Sequence, residues 1–107
     1  MAKIINTSQF RGSVEENQGV VVVDFFATWC GPCNVMSPIV DEIAQKYDND
    51  VRVAKVDIDE NEELAEENDI GVVPTIIFYK NGSELGRLSG VRQIEELEKV
   101  IMANKKQ

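Results

Sequence analysis

The stretch Val20-Val21-Val22-Val23-Asp24-Phe25-Phe26-Ala27-Thr28-Trp29-Cys30-Gly31-Pro32-Cys33 contains a change of periodicity that decides the architecture. β-Branched side chains crowd a helix but pack well on a pleated sheet. A run apolar on both parities is therefore a central strand covered on both faces. From Cys33 onward the period changes from two to 3.6: Met36, Val40, Ile43, Ala44 and Tyr47 form one apolar stripe, widened by Val35 and Ile39. Pro38 falls inside this helix, removes one intrahelical hydrogen bond and is expected to kink it. Asp48-Asn49-Asp50 closes it.

Shorter elements surround this strand and helix. Lys3–Ile5 is a strand candidate, and residues 7–17 suit a surface helix anchored by Phe10 and Val14. Val51–Val56 reads as a second central strand, and residues 61–68 as a short helix touching the core through Leu64 and Ala65. Thr75–Tyr79 and Leu85–Leu88 flank Lys80-Asn81-Gly82-Ser83, where Asn-Gly is the strongest local hairpin signal. A last helix over about residues 92–104 carries Ile94, Leu97 and Ile101 on one face. The order β-α-β-α-β-α-β-β-α makes an α/β protein: a right-handed crossover joins the early parallel strands, and a C-terminal hairpin extends the sheet antiparallel.

The 107 residues, 43% of them apolar, are expected to form one domain, residues 1–107, with a real core. No apolar stretch approaches membrane-spanning length, and residues 1–10 show no signal-peptide core, so the expected compartment is the reducing cytoplasm. Nineteen acidic against eleven basic groups leave a formal charge of −8. That balance disfavours nucleic acid and anionic membranes, which are bound through Lys and Arg. Asp57, Asp59, Glu60, Glu62, Glu63, Glu66, Glu67 and Asp69 concentrate the acidity, either as a solvated helix face or as a partner-docking patch.

Cys30 and Cys33 are the only cysteines, and there is no histidine. A bridge enclosing so few residues constrains the unfolded chain very little, so it is a poor staple. It is a good redox device, because the second thiol can attack a mixed disulfide formed by the first. Structural zinc is the rival use of the spacing, but it wants four ligands and would need a metal shared between two chains. Cys30 lies where strand and turn give way to helix, beside the unsatisfied N–H groups of the first turn, which stabilise a thiolate. Pro32 suits that turn, and Gly31 keeps the approach open. Cys30 is thus expected to be the exposed nucleophile and Cys33 the shielded resolving thiol, against a bland alternative of two inert buried cysteines.

Asp24 is a second anomaly, since a carboxylate in a buried strand is expensive unless it is used or paired. It shares parity with Val22 and Phe26, on the side where Cys33 can lie. Desolvation should raise its pKa and make it a proton acceptor for Cys33 through a water. Lys55, on the next parallel strand, is expected to supply the compensating charge. A purely structural Asp24–Lys55 pair is the other reading. Pro74 is the third anomaly: Val73-Pro74-Thr75 opens a strand, where proline removes a ladder bond. A cis bond there would present the Val73 N–H and C=O to an extended substrate, though spacing alone does not fix the isomer.

With these residues in place the chain resembles the thioredoxin family. The resemblance runs from Val23 to Cys33, through Pro38 and Lys55-Val56-Asp57-Ile58-Asp59, to Val73-Pro74-Thr75, Phe78-Tyr79-Lys80-Asn81-Gly82 and Gly90. It implies a thioredoxin fold, with a five-stranded mixed sheet ordered 1-3-2-4-5 and four flanking helices. It further implies a general protein-disulfide reductase with Cys30 as nucleophile and Cys33 as resolving thiol, Asp24 and Lys55 as the buried pair, and a cis Pro74. The apolar docking surface would comprise Trp29, Gly31, Pro32, Val73, Pro74, Gly90 and Val91. No bound cofactor is implied beyond the Cys30–Cys33 disulfide. The implied partners are thioredoxin reductase and oxidised proteins such as ribonucleotide reductase, peroxiredoxin and methionine sulfoxide reductase, served by a monomer.

Departures from the commonest family pattern bear on partner range and potential. Phe26 stands where a second tryptophan is frequent, Asn34 where Lys or Arg often follows the second cysteine, and Val72 where Gly or Ser is common. Nothing resembles the Cys-Pro-Tyr-Cys of glutaredoxin-like enzymes or the His-containing interior of oxidising relatives. A redox-modulated interaction subunit of a larger assembly is the competing function.

Overall fold

β2 (Val20–Phe26) runs through the middle of the sheet, and every other element is placed by its relation to it. The computed structural model describes residues 2–105. β3 (Val51–Asp57) lies parallel to β2 on one side, with Asp24 directly opposite Lys55. β4 (Thr75–Lys80) lies antiparallel on the other side, with Asp24 opposite Ile76. The edges are β1 (Lys3–Ile4), parallel to β3, and β5 (Ser83–Ser89), antiparallel to β4. The strand order is therefore β1-β3-β2-β4-β5. With helices on both faces, this is the thioredoxin fold.

Parity along β2 divides the core. Val20 and Val22 face α2 (Gly31–Lys46) and α4 (Ile94–Asn104), packing with Met36, Val40, Ile43, Ile76, Phe78, Leu97 and Ile101. Val21, Val23 and Phe25 face the opposite way, onto Phe10 and Val14 of the first helical segment and Leu64 of α3 (Glu62–Glu67). Both faces are closed, which is why β2 reads as a continuous apolar run.

Some local expectations are revised. The segment expected as one helix over residues 7–17 is an α-helical turn, α1 (Thr7–Phe10), continued by a π-helical turn over Arg11–Glu15. The Glu16 N–H donates to the Arg11 carbonyl at 2.9 Å, the wider spacing that defines that turn. Phe10 and Val14 are buried in both cases. Val35 does not widen the α2 stripe; it is 54% exposed, because the buried arc of that helix is already filled by Met36, Val40 and Ile43. The α2 assignment continues through Pro38 to Lys46. In the β4–β5 turn Asn81 and Gly82 both have positive φ, 54° and 78°. A Cβ on Gly82 would also come within 2.6 Å of the Glu15 carbonyl oxygen, so glycine is required there twice over.

Candidate active site

Cys30 caps the N-terminus of α2 and is joined to Cys33 as a disulfide, with Cα atoms 5.2 Å apart. The Cys33 N–H donates to Cys30 Sγ at 3.1 Å, so one of the unsatisfied first-turn donors is aimed at the sulfur. Such a donor favours a thiolate once the bond opens. The expected contrast in exposure is absent: Cys30 is 5% exposed and Cys33 3%. What distinguishes them is the space each borders. The loop between β2 and α2 folds back on itself, with the Cys30 N–H donating to the Ala27 carbonyl, and the two cysteines line different cavities.

Cys30 borders a groove of about 440 Å³ formed with Trp29, Gly31, Pro32, Ile58 and residues 70–73. Trp29, 68% exposed, is held by its Nε1–H donating to Asp59 Oδ2 at 2.7 Å. Asp59 in turn donates its backbone N–H to Asp57 Oδ1 at 2.9 Å. Opposite Trp29, the Val73 carbonyl oxygen lies 3.6 Å from Cys30 Sγ. The Val73–Pro74 bond is cis, and Thr75 Oγ1 donates to the Val72 carbonyl at 2.7 Å, which ties the loop to the start of β4. Pro74 is buried, so it backs the groove rather than forming its surface. The Gly90 N–H donates to the Pro74 carbonyl at 2.9 Å, and the Arg92 N–H points at Met36 Sδ at 3.3 Å. These contacts set Gly90 and exposed Val91 beside the groove without lining it.

Cys33 borders a smaller cavity of about 190 Å³, with Ile4, Asp24, Phe26, Thr28, Asn34, Ser37 and Lys55 around it. Asp24 is 1% exposed, and its Oδ1 has no hydrogen-bond partner among the described residues. Burial pushes its carboxyl up to about 6; Lys55 opposes that shift and Asp41 adds to it. The expected Asp24–Lys55 ion pair is not formed. Lys55 Nζ instead pairs with Asp41 Oδ1 at 3.0 Å and donates to Ser37 Oγ at 2.6 Å, because α2 crosses this face and brings two acceptors to the lysine. Asp41 also accepts the Ala2 N–H at 3.0 Å. Burial alone would raise the Asp41 carboxyl, but the Lys55 and Ala2 hydrogen bonds and the Lys55 charge together hold it below its ordinary value.

Sequence reasoning missed several of these residues. Ile58, Ile70 and Val72 give no local sign of walling a groove. Asp59 belongs to the acidic run over residues 57–69, whose composition gives no sign that this carboxylate accepts the Trp29 Nε1–H. The α3 glutamates of that run are exposed. Ser37 and Asp41 lie one turn apart on α2, a spacing that marks a shared face but not its partner. Among the described residues no group of three or more His, Cys, Asp or Glu is placed to hold a metal ion, and no helix is long and apolar enough to cross a membrane.

The fold and the paired sulfurs together define a dithiol–disulfide redox protein, with the Cys30–Cys33 disulfide as its functional centre. A sequence profile described as thioredoxin matches residues 1–103. Thioredoxin of Chlamydia pneumoniae is 39% identical over 101 residues, covering 94% of this chain and 96% of the relative. Thioredoxin of Rickettsia felis is 40% identical over 97 residues, covering 91% and 92% respectively. Thioredoxin-2 of Saccharomyces cerevisiae is 37% identical over 90 residues, covering 84% and 86%. The chain belongs to the thioredoxin family. With that membership comes the family's general activity, electron transfer by thiol–disulfide exchange.

Proposed function

We propose that residues 1–107 act as one unit, a general protein-disulfide reductase that carries electrons from a thioredoxin reductase to disulfides of other proteins. The observation that carries this reading is the disulfide at the start of α2, set between an open groove and a smaller, more enclosed cavity holding a buried carboxylate. In the reduced protein the Cys30 thiolate attacks one sulfur of a substrate disulfide, forming a Cys30–substrate bond and expelling the other substrate sulfur as thiolate. Cys33 gives its proton to Asp24 through a water in the shared cavity, and its thiolate attacks Cys30 Sγ. The Cys30–substrate bond breaks and the second substrate sulfur leaves as thiolate. Two electrons have passed: the protein dithiol is oxidised to Cys30–Cys33, and the substrate disulfide is reduced to two thiols. The reductase restores the dithiol.

Trp29, Gly31, Pro32 and Val73 receive the substrate, Pro74 holds the Val73 loop from behind, and Gly90 and Val91 extend the surface. Lys55 acts on Asp24 from β3. The open groove at Cys30 suits many protein acceptors, the class that in this family includes ribonucleotide reductase, peroxiredoxin and methionine sulfoxide reductase. A monomer working in the reducing cytoplasm fits this role.

Insulin-disulfide reduction driven by a thioredoxin reductase tests the reading: a general reductant turns over rapidly, whereas a redox-modulated subunit of an assembly cycles slowly. Equilibration against glutathione is the companion measurement. The family's potential is about −270 mV, and oxidising relatives lie near −120 mV. A value above about −200 mV would move the protein out of the reductase class.

A further inference from the structure

Lys55 and Asp24 face each other across adjacent strands, yet the lysine is committed elsewhere. Its ammonium is engaged by Ser37 and Asp41, which project from successive turns of α2, while the inner oxygen of Asp24 is buried without a partner. An ammonium beside a desolvated carboxylate in a low-dielectric cavity is strongly attracted to it. Something must hold the two apart, and the two α2 side chains are the groups in contact with the lysine head. Asp41 is itself anchored by the Ala2 N–H, so the acceptor end of the tether is fixed to the strand edge.

We propose that Ser37 and Asp41 are positioning residues that tether the Lys55 ammonium to α2 and so keep Asp24 unpaired, free to take the proton of Cys33. The proposal rests on the reading that Asp24 is that proton's acceptor. It concerns residues of the second turn of α2 and beyond, outside the Trp29–Cys33 segment. The groups facing Asp24 are few. Cys33, Asn34, Ser37 and Asp41 come from α2 and its start, Lys55 from β3, Ile4 from β1, Ile76 from β4 and Thr28 from the β2–α2 loop. Lys55 and Asp41 are the charged ones among them, so a displaced lysine has a direct and readable effect on the carboxyl.

Two consequences separate the tether from a merely structural contact. Released from α2, the ammonium moves toward Asp24, favours its ionised form and lowers its titration midpoint. A more acidic carboxyl is also a weaker base, so the resolving step should slow on its alkaline plateau while its acidic limb moves to lower pH. Loss of packing alone would scale the rate at every pH and leave the limb in place.

The experiment combines carbon-13 NMR titration of the Asp24 carboxyl in the oxidised protein with stopped-flow measurement of the resolving step. In the latter, reduced protein reacts with an aromatic disulfide, and release of the second coloured thiolate reports attack by Cys33. Ser37→Ala removes one tether without changing any charge. It is expected to lower the Asp24 midpoint. Asp41→Asn also removes a negative charge that raises Asp24. The Ser37→Ala/Asp41→Asn double variant is therefore read as the difference between its shifts with and without Lys55, the shift being expected to be larger with Lys55 present. Ser37→Thr, which keeps the hydroxyl, is expected to retain the parent midpoint. In a Lys55→Gln background, where no ammonium remains to be released, Ser37→Ala is expected to shift nothing. A double-variant shift of the same size with and without Lys55 overturns the tether, as does a Ser37→Ala shift of the same size without Lys55. A midpoint that falls while the rate limb stays in place supports the tether and instead overturns Asp24 as the acceptor.

Discussion

The two sulfurs of one disulfide sit in unlike surroundings although they are almost equally buried. Cys30 meets a groove open to another protein, walled by Trp29, Pro32, Ile58, Ile70 and Val72 and with few groups that could carry charge. Cys33 meets a cavity less than half that volume, whose wall includes a carboxylate and an ammonium. Recognition and proton transfer need these opposite conditions. An apolar groove gains binding energy by removing the substrate from water. A buried carboxylate acquires a basicity near neutral pH for the same reason, because water has been removed from it. In the proposed mechanism, division of labour between the thiols would follow from what lies beyond each cysteine, since the two hardly differ in exposure.

The strongest way to break that comparison is to remove each sulfur in turn. Cys30→Ser is expected to abolish insulin reduction, by at least about a thousandfold in kcat/KM, because no nucleophile then faces the groove. Cys33→Ser should instead accumulate mixed disulfides with substrate, visible as covalent adducts by mass spectrometry. Alkylation of the reduced protein near neutral pH should modify Cys30 well ahead of Cys33; equal rates would erase the distinction between the cavities.

The second test acts on the smaller cavity. Asp24 titrates at about 6 when folded, against an ordinary value of 3.8, so its burial opposes folding wherever the unfolded chain ionises it. Relative to the unfolded chain the fold favours the protonated carboxyl, and the stability that preference contributes is fully present below the unfolded value and is lost as pH rises through about 6. Asp24→Asn should therefore stabilise the protein by up to about 3 kcal/mol near pH 8, with the gain shrinking as pH falls toward 4. Denaturant melts across that range check it. A variant less stable than its parent would mean that Asp24 is held in a net favourable interaction. The same substitution should slow the resolving step by at least about tenfold.

Smaller effects sharpen the picture of the groove. Val72→Asp places a charge on an exposed apolar wall and removes a contact worth about 1 kcal/mol. It should raise KM for a protein disulfide about fivefold, while leaving kcat with a small disulfide unchanged. The smallest effect is expected from Asn34→Lys. A cation in the first turns of α2 should lower the Cys30 pKa by a few tenths of a unit, measured by the pH dependence of alkylation. If it does not move, the first-turn N–H groups set that thiol and side-chain charge does not.

Most of the frame was legible in the residues because it rests on local periodicity. Alternate side chains of Val20–Phe26 must point to opposite faces, so a run apolar on both parities requires cover on both sides, and α2 with α4 and α1 with α3 supply it. Asn81-Gly82 demanded positive φ at both positions and has it. The boundary at Cys30 followed from the change in period and from Pro32, which is at home in a first helical turn. Other features needed contacts distant in sequence. The π-helical turn after Phe10 left no mark in the apolar pattern, since Phe10 and Val14 are buried in either geometry. The groove walls at Ile58 and Ile70–Val72 are brought beside Trp29 only when β3 and β4 enter the same sheet.

Asp24 and Lys55 show where the division falls. Their opposition across β2 and β3 was readable, because strand register and side-chain parity place them side by side. The residues by themselves thus determined the order of elements in an α/β chain, the cysteine pair at a helix start, and a carboxylate and an amine on neighbouring strands, while the sheet order was implied by the family resemblance. Only the tertiary structure decided that Lys55 bonds to Ser37 and Asp41, that both sulfurs are buried, and that a groove and a cavity lie on either side of them. Periodicity is enforced by the backbone within a few residues. The choice of partner by a long flexible side chain is a competition among acceptors, settled only once α2 has packed across the sheet.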